Sequence, residues 1–430
     1  MTKLKDKDLL RTAVSRRWLI LLAGFMTCLC ESIMYATGVF MAPIMQTYDI
    51  SPDNTAPAAL AFSLLVVFIA VGTVAGGVVN EKKGTRPPIV AGSILFAAGL
   101  FTAALSARIG QLYLLYAGFG MITGTGVGMI YGSVLGVIAK WFPDRKGFAT
   151  GVVVCAVGGG PVLLAPFAKW LLNGLQLSGT YFVFGILVSL IMFGAALVLN
   201  EPPEGYAPPG SGPAEGLPGS RGRDYTAPEM LRTALFWLVA FLYMAGSFSG
   251  LMVISDAETI TRNAIRQSGF QGGSGYAVAG IMLLAAANAF GRLFWSTLSD
   301  RIGRITSLII MFAITGCVML SLNSLGGSFG GFMLALAVIG CCFGGYLGMF
   351  LPICSDFFGN RNITLNYGIL YSAFALAGIL GPMTESWMTD AAANQCAAYI
   401  SFAGLAVAVA VQIVYINKKA LPPDSARQSL

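Results

Sequence analysis

The chain has 430 residues, of which 56% are hydrophobic and only 10% charged, with a mean hydropathy of +0.75. A soluble domain carries about 25% charged residues, so an ordinary water-soluble globule is excluded. The net charge of +7 is reached without a single histidine, which removes histidine metal ligands, proton relays and general bases together.

In chain order, the first element is a basic segment, 1–17, with Lys3, Lys5, Lys7, Arg11, Arg16 and Arg17. The apolar run behind it lacks a small-residue cleavage site and is too long for a signal-peptide core, so it reads as a helix. Similar runs of about twenty residues recur to the end of the chain, each long enough to cross a hydrocarbon layer of ~30 Å. Lipid offers no hydrogen bonds to free backbone, so the spans are helices. The short alternating segments of a membrane β-barrel are absent. The pattern predicts an all-α polytopic membrane protein with twelve spans at 18–44, 57–79, 88–107, 111–139, 147–172, 179–199, 230–255, 274–298, 304–323, 329–353, 364–388 and 396–417.

Span 1 carries Glu31 about halfway along, with Tyr35 one helical turn later on the same face. A carboxyl removed from water favours its protonated form. Glu31 is therefore a proton-carrier candidate, or a carboxyl paired with another helix or facing a water-filled cavity. Span 2 has Gly72 and Gly76, and span 4 has Gly118, Gly120, Gly124, Gly126, Gly128, Gly132 and Gly136. Small residues at such spacing let helices approach closely. Tyr131 stands among them, where a phenol could donate to an anion or simply pack. Gly158, Gly159, Gly160 and Pro161 in span 5 read as bending points, as do Gly378, Gly381 and Pro382 in span 11.

The polar stretch 201–229, EPPEGYAPPGSGPAEGLPGSRGRDYTAPE, is rich in Pro and Gly and reads as a linker without packed structure except near its ends. It divides the chain into six-helix bundles at 18–200 and 230–417, with a tail at 418–430. Asp256, at the outer end of span 7, lacks a local partner and is a second proton-site candidate. Tyr346, Tyr371 and Phe374 in spans 10 and 11, with Tyr35 in span 1, are candidate walls of a site. The eight cysteines (28, 30, 155, 317, 341, 342, 354 and 396) contain no CxxC pair and read as small buried hydrophobes.

Arg292 in span 8, within NAFGRLFWSTLSD (288–300), is the informative charge. Placing it at a helix centre costs about 2.5–3.5 kcal/mol even on an insertion scale, and it cannot shed its proton. It needs a partner or water. Asn288, one turn earlier, shares its face but brings no counter-charge. A guanidinium presents a planar fork suited to a carboxylate, so Arg292 is expected to hold an organic anion.

The basic residues cluster in the N-terminus, the even-numbered loops and the tail, whereas the odd-numbered loops carry only Arg108, Lys169, Arg262 and Arg266. The positive-inside rule then puts both termini in the cytoplasm. The charge is a topology signal; no basic patch with interleaved aromatics suggests nucleic acid.

The halves echo each other. GVVNEKKGTR (77–86) follows span 2 and STLSDRIGR (296–304) follows span 8, with Glu81 and Asp300 separated by 219 positions. WFPDRKGFATG (141–151) and FFGNRNITLNYG (357–368) occupy matching places before the fifth span of each half. Subtracting the offset from 292 lands on Thr73, so the repeat itself does not require an arginine. The loop residues Gly77, Glu81, Lys82, Gly84, Arg86, Asp300, Arg301, Gly303 and Arg304, with Asp144 and Arg145 in the second echo, are expected to be structural and gating. The glycines permit a tight reversal, and the charges sit at helix ends where they can pair or meet helix dipoles.

The six-plus-six plan and the acid-base-x-Gly loops resemble the major facilitator superfamily. WFPDRKGFATG, PPEGYAP (202–208) and SDFFGNRNITLNYG (355–368) narrow the resemblance to the oxalate:formate antiporters, close to the monocarboxylate transporters. It implies secondary transport by alternating access, with a site at the midplane between halves. Relatives keep a tyrosine like Tyr131, and an arginine like Arg292 in the eighth span.

Three departures shape the expectation. Glu81 stands where the family usually has aspartate. Phe374 stands where the oxalate carrier has a lysine, so a dianion would leave one carboxylate unpaired, which is expensive. Asn288 stands where animal monocarboxylate transporters have aspartate, and Tyr35 where they have a lysine. The expected substrate is therefore a small monocarboxylate such as lactate, pyruvate or acetate, moved with a proton across a bacterial inner membrane by a monomer with no cofactor, metal or nucleic-acid partner. Anion exchange without protons is the alternative. A sensor on a carrier fold lacks an output domain, and an enzyme lacks a nucleophile–base constellation.

Overall fold

The computed structural model describes residues 2–35, 37–51, 56–203, 206, 224–255, 260–261, 265–266, 275–325, 328–388 and 390–420. Among these, every regular element is helical. Span 1 begins far earlier than its apolar stretch. The helix Thr2–Glu31 takes in the basic N-terminal segment, passes through a 3₁₀ turn, Ser32–Tyr35, and resumes as Thr37–Thr47. Glu31 is thus the last residue of the long helix.

Spans 2 and 3 are Ala56–Lys83 and Arg86–Ile109. Span 4 runs through Leu112–Leu115, a π-helical stretch Tyr116–Ile122 and Thr123–Trp141. Span 5 is Lys146–Gly159, resuming at Pro161. The helix from Pro161 continues to Val198 and contains span 6, the reversal between them falling at Gln176 with φ 57°. The second half comprises Ala234–Ser255, Gly275–Ile302, Arg304–Leu325, Phe329–Phe358, Ile363–Trp387 and Asp390–Ala420, spans 7 to 12. A short helix, Ala227–Leu231, precedes them, started by a capping box between Thr226 and Glu229.

Among the described residues, nine stretches are long and apolar enough to cross a membrane, and one of them, Lys146–Val198, holds two spans. Spans 1 and 8, which carry Glu31 and Arg292, complete the twelve.

The packing repeats between halves. Spans 2·4, 3·6, 1·5 and 3·4 pack together in the first half, and 8·10, 9·12, 7·11 and 9·10 in the second. The halves meet along two seams, span 5 on span 8 and span 2 on span 11, which the same repeat interchanges. Glycine makes this closeness possible. Gly72 lies against the backbone of Thr125 and Gly128 against that of Ile69 and Thr73, so a side chain there would enter the neighbouring helix. Gly77 meets Leu365 and Gly368 meets Thr73 across the second seam.

The basic loops lie at the end where Gly77 and Gly147 bring the halves into main-chain contact, with Leu365 and Ser296. Gly84 and Gly303 reverse the chain at φ 77° and 95°, in the left-handed region that favours glycine. Asp300 accepts hydrogen bonds from the backbone of Gly147 at 3.1 Å and Phe148 at 2.9 Å, at the start of span 5, and pairs with Arg304. Arg304 and Lys146 both reach Asp356, at 3.2 and 3.3 Å. These contacts tie one half to the other. Glu81, the repeat partner of Asp300, is exposed and makes no ion pair among the described residues. Arg86 donates to the Ala196 carbonyl at 3.1 Å, and Asp144 pairs with Arg17 at 3.2 Å. Lys82, Arg145 and Arg301 are exposed.

Candidate functional site

Arg292 is 1% exposed, and its holders include a side chain of its own helix and a main-chain carbonyl of the other half. Its Nε donates to Asn288 Oδ1 at 2.7 Å, on its own helix one turn back, and its Nη1 donates to the Val154 carbonyl at 3.0 Å, on span 5 of the other half. The seat exists because span 5 presents no side chain there: a Cβ on Gly158 would lie 2.7 Å from Nε and 2.9 Å from Asn288 Oδ1. On the opposite side, Gly344 and Gly348 of span 10 fit against the main chain around Asn288 and Ser296. Span 8 is gripped by small residues on both sides, so Arg292 stands at the interface of the halves.

Arg292 lines a small, nearly closed pocket together with Glu31, Tyr131, Tyr371, Ile69, Val127, Val157 and Leu347. The lining comes from spans 1, 2, 4 and 5 on one side and 8, 10 and 11 on the other. It holds one cation, one acid, two phenols and four aliphatic side chains. Small-molecule sites are of this kind, mostly apolar with a few convergent polar groups.

Glu31 is 1% exposed, and neither carboxyl oxygen accepts a hydrogen bond of ordinary geometry from the described residues. The Cys28 thiol, a weak donor, lies beside it. Arg292 lines the same pocket.

The aromatic wall is layered. Tyr131 and Tyr371, from opposite halves, meet edge-on with centroids 5.7 Å apart. Phe374 lies behind Tyr371 at 5.0 Å and against Tyr243 at 5.9 Å, so it supports the wall without lining the cavity. Tyr243 stacks on Phe350 at 4.1 Å, with its hydroxyl 3.4 Å from that of Tyr367.

Tyr346 points elsewhere. It packs on Phe312 at 5.0 Å, with its hydroxyl 3.4 Å from Thr315 Oγ1, filling the space left by Gly246. Its neighbour Leu347 reaches the cavity, because successive helical side chains point about 100° apart. Asp256 lies outside the described residues, as does the Tyr35 side chain.

Sequence reasoning missed the Val154 carbonyl, the aliphatic lining and the role of Gly158. A backbone carbonyl leaves no trace in residue type. Gly158 sat in a run of glycines already explained as a bend.

The chain matches the model of the Major Facilitator Superfamily over residues 20–382 and 271–429. It is 26% identical to the oxalate:formate antiporter of Oxalobacter formigenes over 372 residues, 86% of this chain and 84% of that one. It is 28% identical to the uncharacterized MFS-type transporter YhjX of Escherichia coli (strain K12), over 84% of this chain and 86% of that one. Human monocarboxylate transporter 2 is 31% identical over 175 residues, 40% of this chain and 35% of that one. Among solved structures, the E. coli fucose:proton symporter superposes with a TM-score of 0.70 at 14% identity, covering 92% of this chain and 98% of that one.

Proposed function

The chain belongs to the Major Facilitator Superfamily, and from that premise we propose that it carries small monocarboxylates of the lactate, pyruvate and acetate class, with a proton, by alternating access. The observation that carries this reading is the cavity between the halves, which places one buried cation, Arg292, and one buried acid, Glu31, in an otherwise aliphatic and aromatic enclosure. The relatives named for oxalate, formate and monocarboxylates support the coarser reading, a carrier of small organic anions.

The proposed cycle follows from charge. In the empty carrier Glu31 and Arg292 balance each other. An incoming carboxylate takes the guanidinium, whose fork suits it, and Glu31 accepts a proton. Each state that rocks then contains a neutral cavity, and no unpaired charge is occluded, which would be costly in low dielectric. Binding thus favours the occluded state by differential interaction. The aliphatic side chains and the ring of Tyr371 face the body of the anion, and Tyr131 supplies a phenol. Phe374, behind the wall, offers no second cation, which favours one carboxylate over two.

The test is Arg292→Gln in proteoliposomes. Lactate uptake is expected to fall to background while the purified variant keeps its melting profile. Uptake near the wild-type rate would sink the assignment.

The likeness to an antiporter over most of both chains supports a second reading, anion exchange without protons. A pH electrode separates the two: lactate entry accompanied by alkalinisation outside supports symport, and entry without it supports exchange.

A further inference from the structure

We propose that Gly158 is a positioning residue for Arg292 and, through it, limits the size of anion the cavity accepts. The inference rests on Arg292 being the carboxylate anchor.

Three consecutive glycines end the first part of span 5, and their surroundings differ. A Cβ on Gly159 would meet only the Ala289 Cβ, at 3.4 Å, an ordinary contact. A Cβ on Gly160 would run into Ser32 of its own half. A Cβ on Gly158 would lie 2.7 Å from Arg292 Nε, 3.0 Å from its Cζ and 2.9 Å from Asn288 Oδ1. Of the three, Gly158 alone faces the cation.

A methyl at 158 forces something to move, and the surrounding contacts decide what. Spans 5 and 8 cannot simply part, because Gly147 and Gly151 hold span 5 against the main chain of Ser296 and Arg292, and Asp300 clasps the start of span 5. The guanidinium hangs on rotatable bonds, so it gives way. Displacement from span 5 breaks both hydrogen bonds of the seat, to Asn288 at 2.7 Å and to Val154 at 3.0 Å. It also drives the cation into the cavity that spans 1, 2, 4, 10 and 11 close on the far side. Interiors are packed tightly enough for a one-carbon change to be felt. The space lost is space for the body of the anion. A methyl at 158 therefore penalises lactate, with its hydroxyl-bearing body, more than acetate.

The experiment compares Gly158→Ala with Gly159→Ala, measuring uptake of labelled lactate and acetate in proteoliposomes. Gly158→Ala is expected to raise the lactate KM by about tenfold or more, the scale of two lost hydrogen bonds to a charged group. It should leave kcat within about twofold and shift preference toward acetate. Gly159→Ala is expected to match the wild type. An unchanged KM and preference in Gly158→Ala overturns the inference. So does a fall in kcat alone, the result for a hinge, or the same effect in Gly159→Ala, the result for helix stiffening.

If Gly158→Ala does not assemble, Asn288→Ala removes the other side of the seat without adding bulk. A raised lactate KM there supports the inference, and an unchanged KM overturns it. Arg292→Gln is measured alongside. If it still transports, the anchor reading falls and takes this inference with it. If it is dead while Gly158→Ala keeps the wild-type KM, only this inference falls.

Discussion

At the scale of single residues, the proposed chemistry rests on two ionisable side chains, Arg292 and Glu31, that the fold brings to one pocket from opposite halves. Arg292 is held by a side chain of its own helix and by a main-chain carbonyl of the other half. Its position therefore depends on how the halves stand, which an arginine paired within one helix would not sense. Glu31 has its two oxygens buried in the same cavity. Replacing it with Gln keeps the shape and removes the ionisable group. Glu31→Gln is expected to weaken lactate accumulation driven by a pH gradient much more than it weakens lactate–lactate exchange. An unchanged pH-driven gradient would eliminate Glu31 as the carrier. Both charges stand out in the sequence because apolar spans contain so few, and each charge at that depth asks for a reason. Tyr346 shows the limit of that logic. An aromatic residue in a span has two faces to choose from, and only its neighbours decide.

At the scale of elements, close helix packing is written in glycine. Gly128 lies against the backbone of Ile69 and Thr73, and backbone cannot rotate away as a side chain can. Gly128→Val is expected to lower stability by about 1–3 kcal/mol or to block assembly, as overpacking does, read as a loss of melting temperature in detergent. A wild-type melt would mean that spans 2 and 4 separate more easily than this packing allows. The ends of the helices are tied by polar contacts. Glu201, just past span 6, accepts from Lys140 at 2.8 Å and from Thr85 at 2.8 Å, joining three helix ends. Partial burial pushes its carboxyl up, but the hydrogen bonds from Lys140 and Thr85 outweigh that, and the net shift is downward. A carboxyl held below its unfolded value adds stability above that value, and the contribution is lost as pH falls through the folded one. Stability is thus expected to drop on acidification below pH ~4, with Glu201→Gln showing a flatter acid limb in melting scans. Equal limbs would remove Glu201 from the account. At its start the linker is also anchored by Tyr206, whose ring packs at a tilt on Trp141 with centroids 5.0 Å apart. At its end Asp224 accepts from the backbone of Asn360 and Arg361 at 2.9 and 3.0 Å.

At the scale of the whole molecule, two similar halves close against each other at the end bearing the basic loops, and they do so unequally. Asp300 binds the start of span 5 across the interface, whereas Glu81, its counterpart, is exposed. Opening this end requires breaking the contacts of Asp300, Arg304, Asp356 and Lys146. Asp300→Asn removes the charge that Arg304 and two backbone donors share, about 1–3 kcal/mol of closure at a partly exposed site. Spin labels at Arg145→Cys and Arg301→Cys, with the native cysteines replaced, are expected to show longer distances in Asp300→Asn than without it. Identical distributions would mean that the glycine seams alone keep this end shut. The sequence by itself determined the solvent, the number of spans, the repeat and the presence of a lone arginine, Arg292, deep in an apolar run. Those follow from local quantities: hydropathy over twenty-odd residues, the cost of a charge in lipid, and a repeated motif at a fixed offset. The tertiary structure alone decided that Glu31 and Tyr371 share the cavity of Arg292, that Tyr346 and Phe374 stand away from it, and that Gly158 marks its edge. These depend on which faces of seven helices converge, and helix direction, 3₁₀ breaks and backbone carbonyls are settled by packing between segments far apart in the chain.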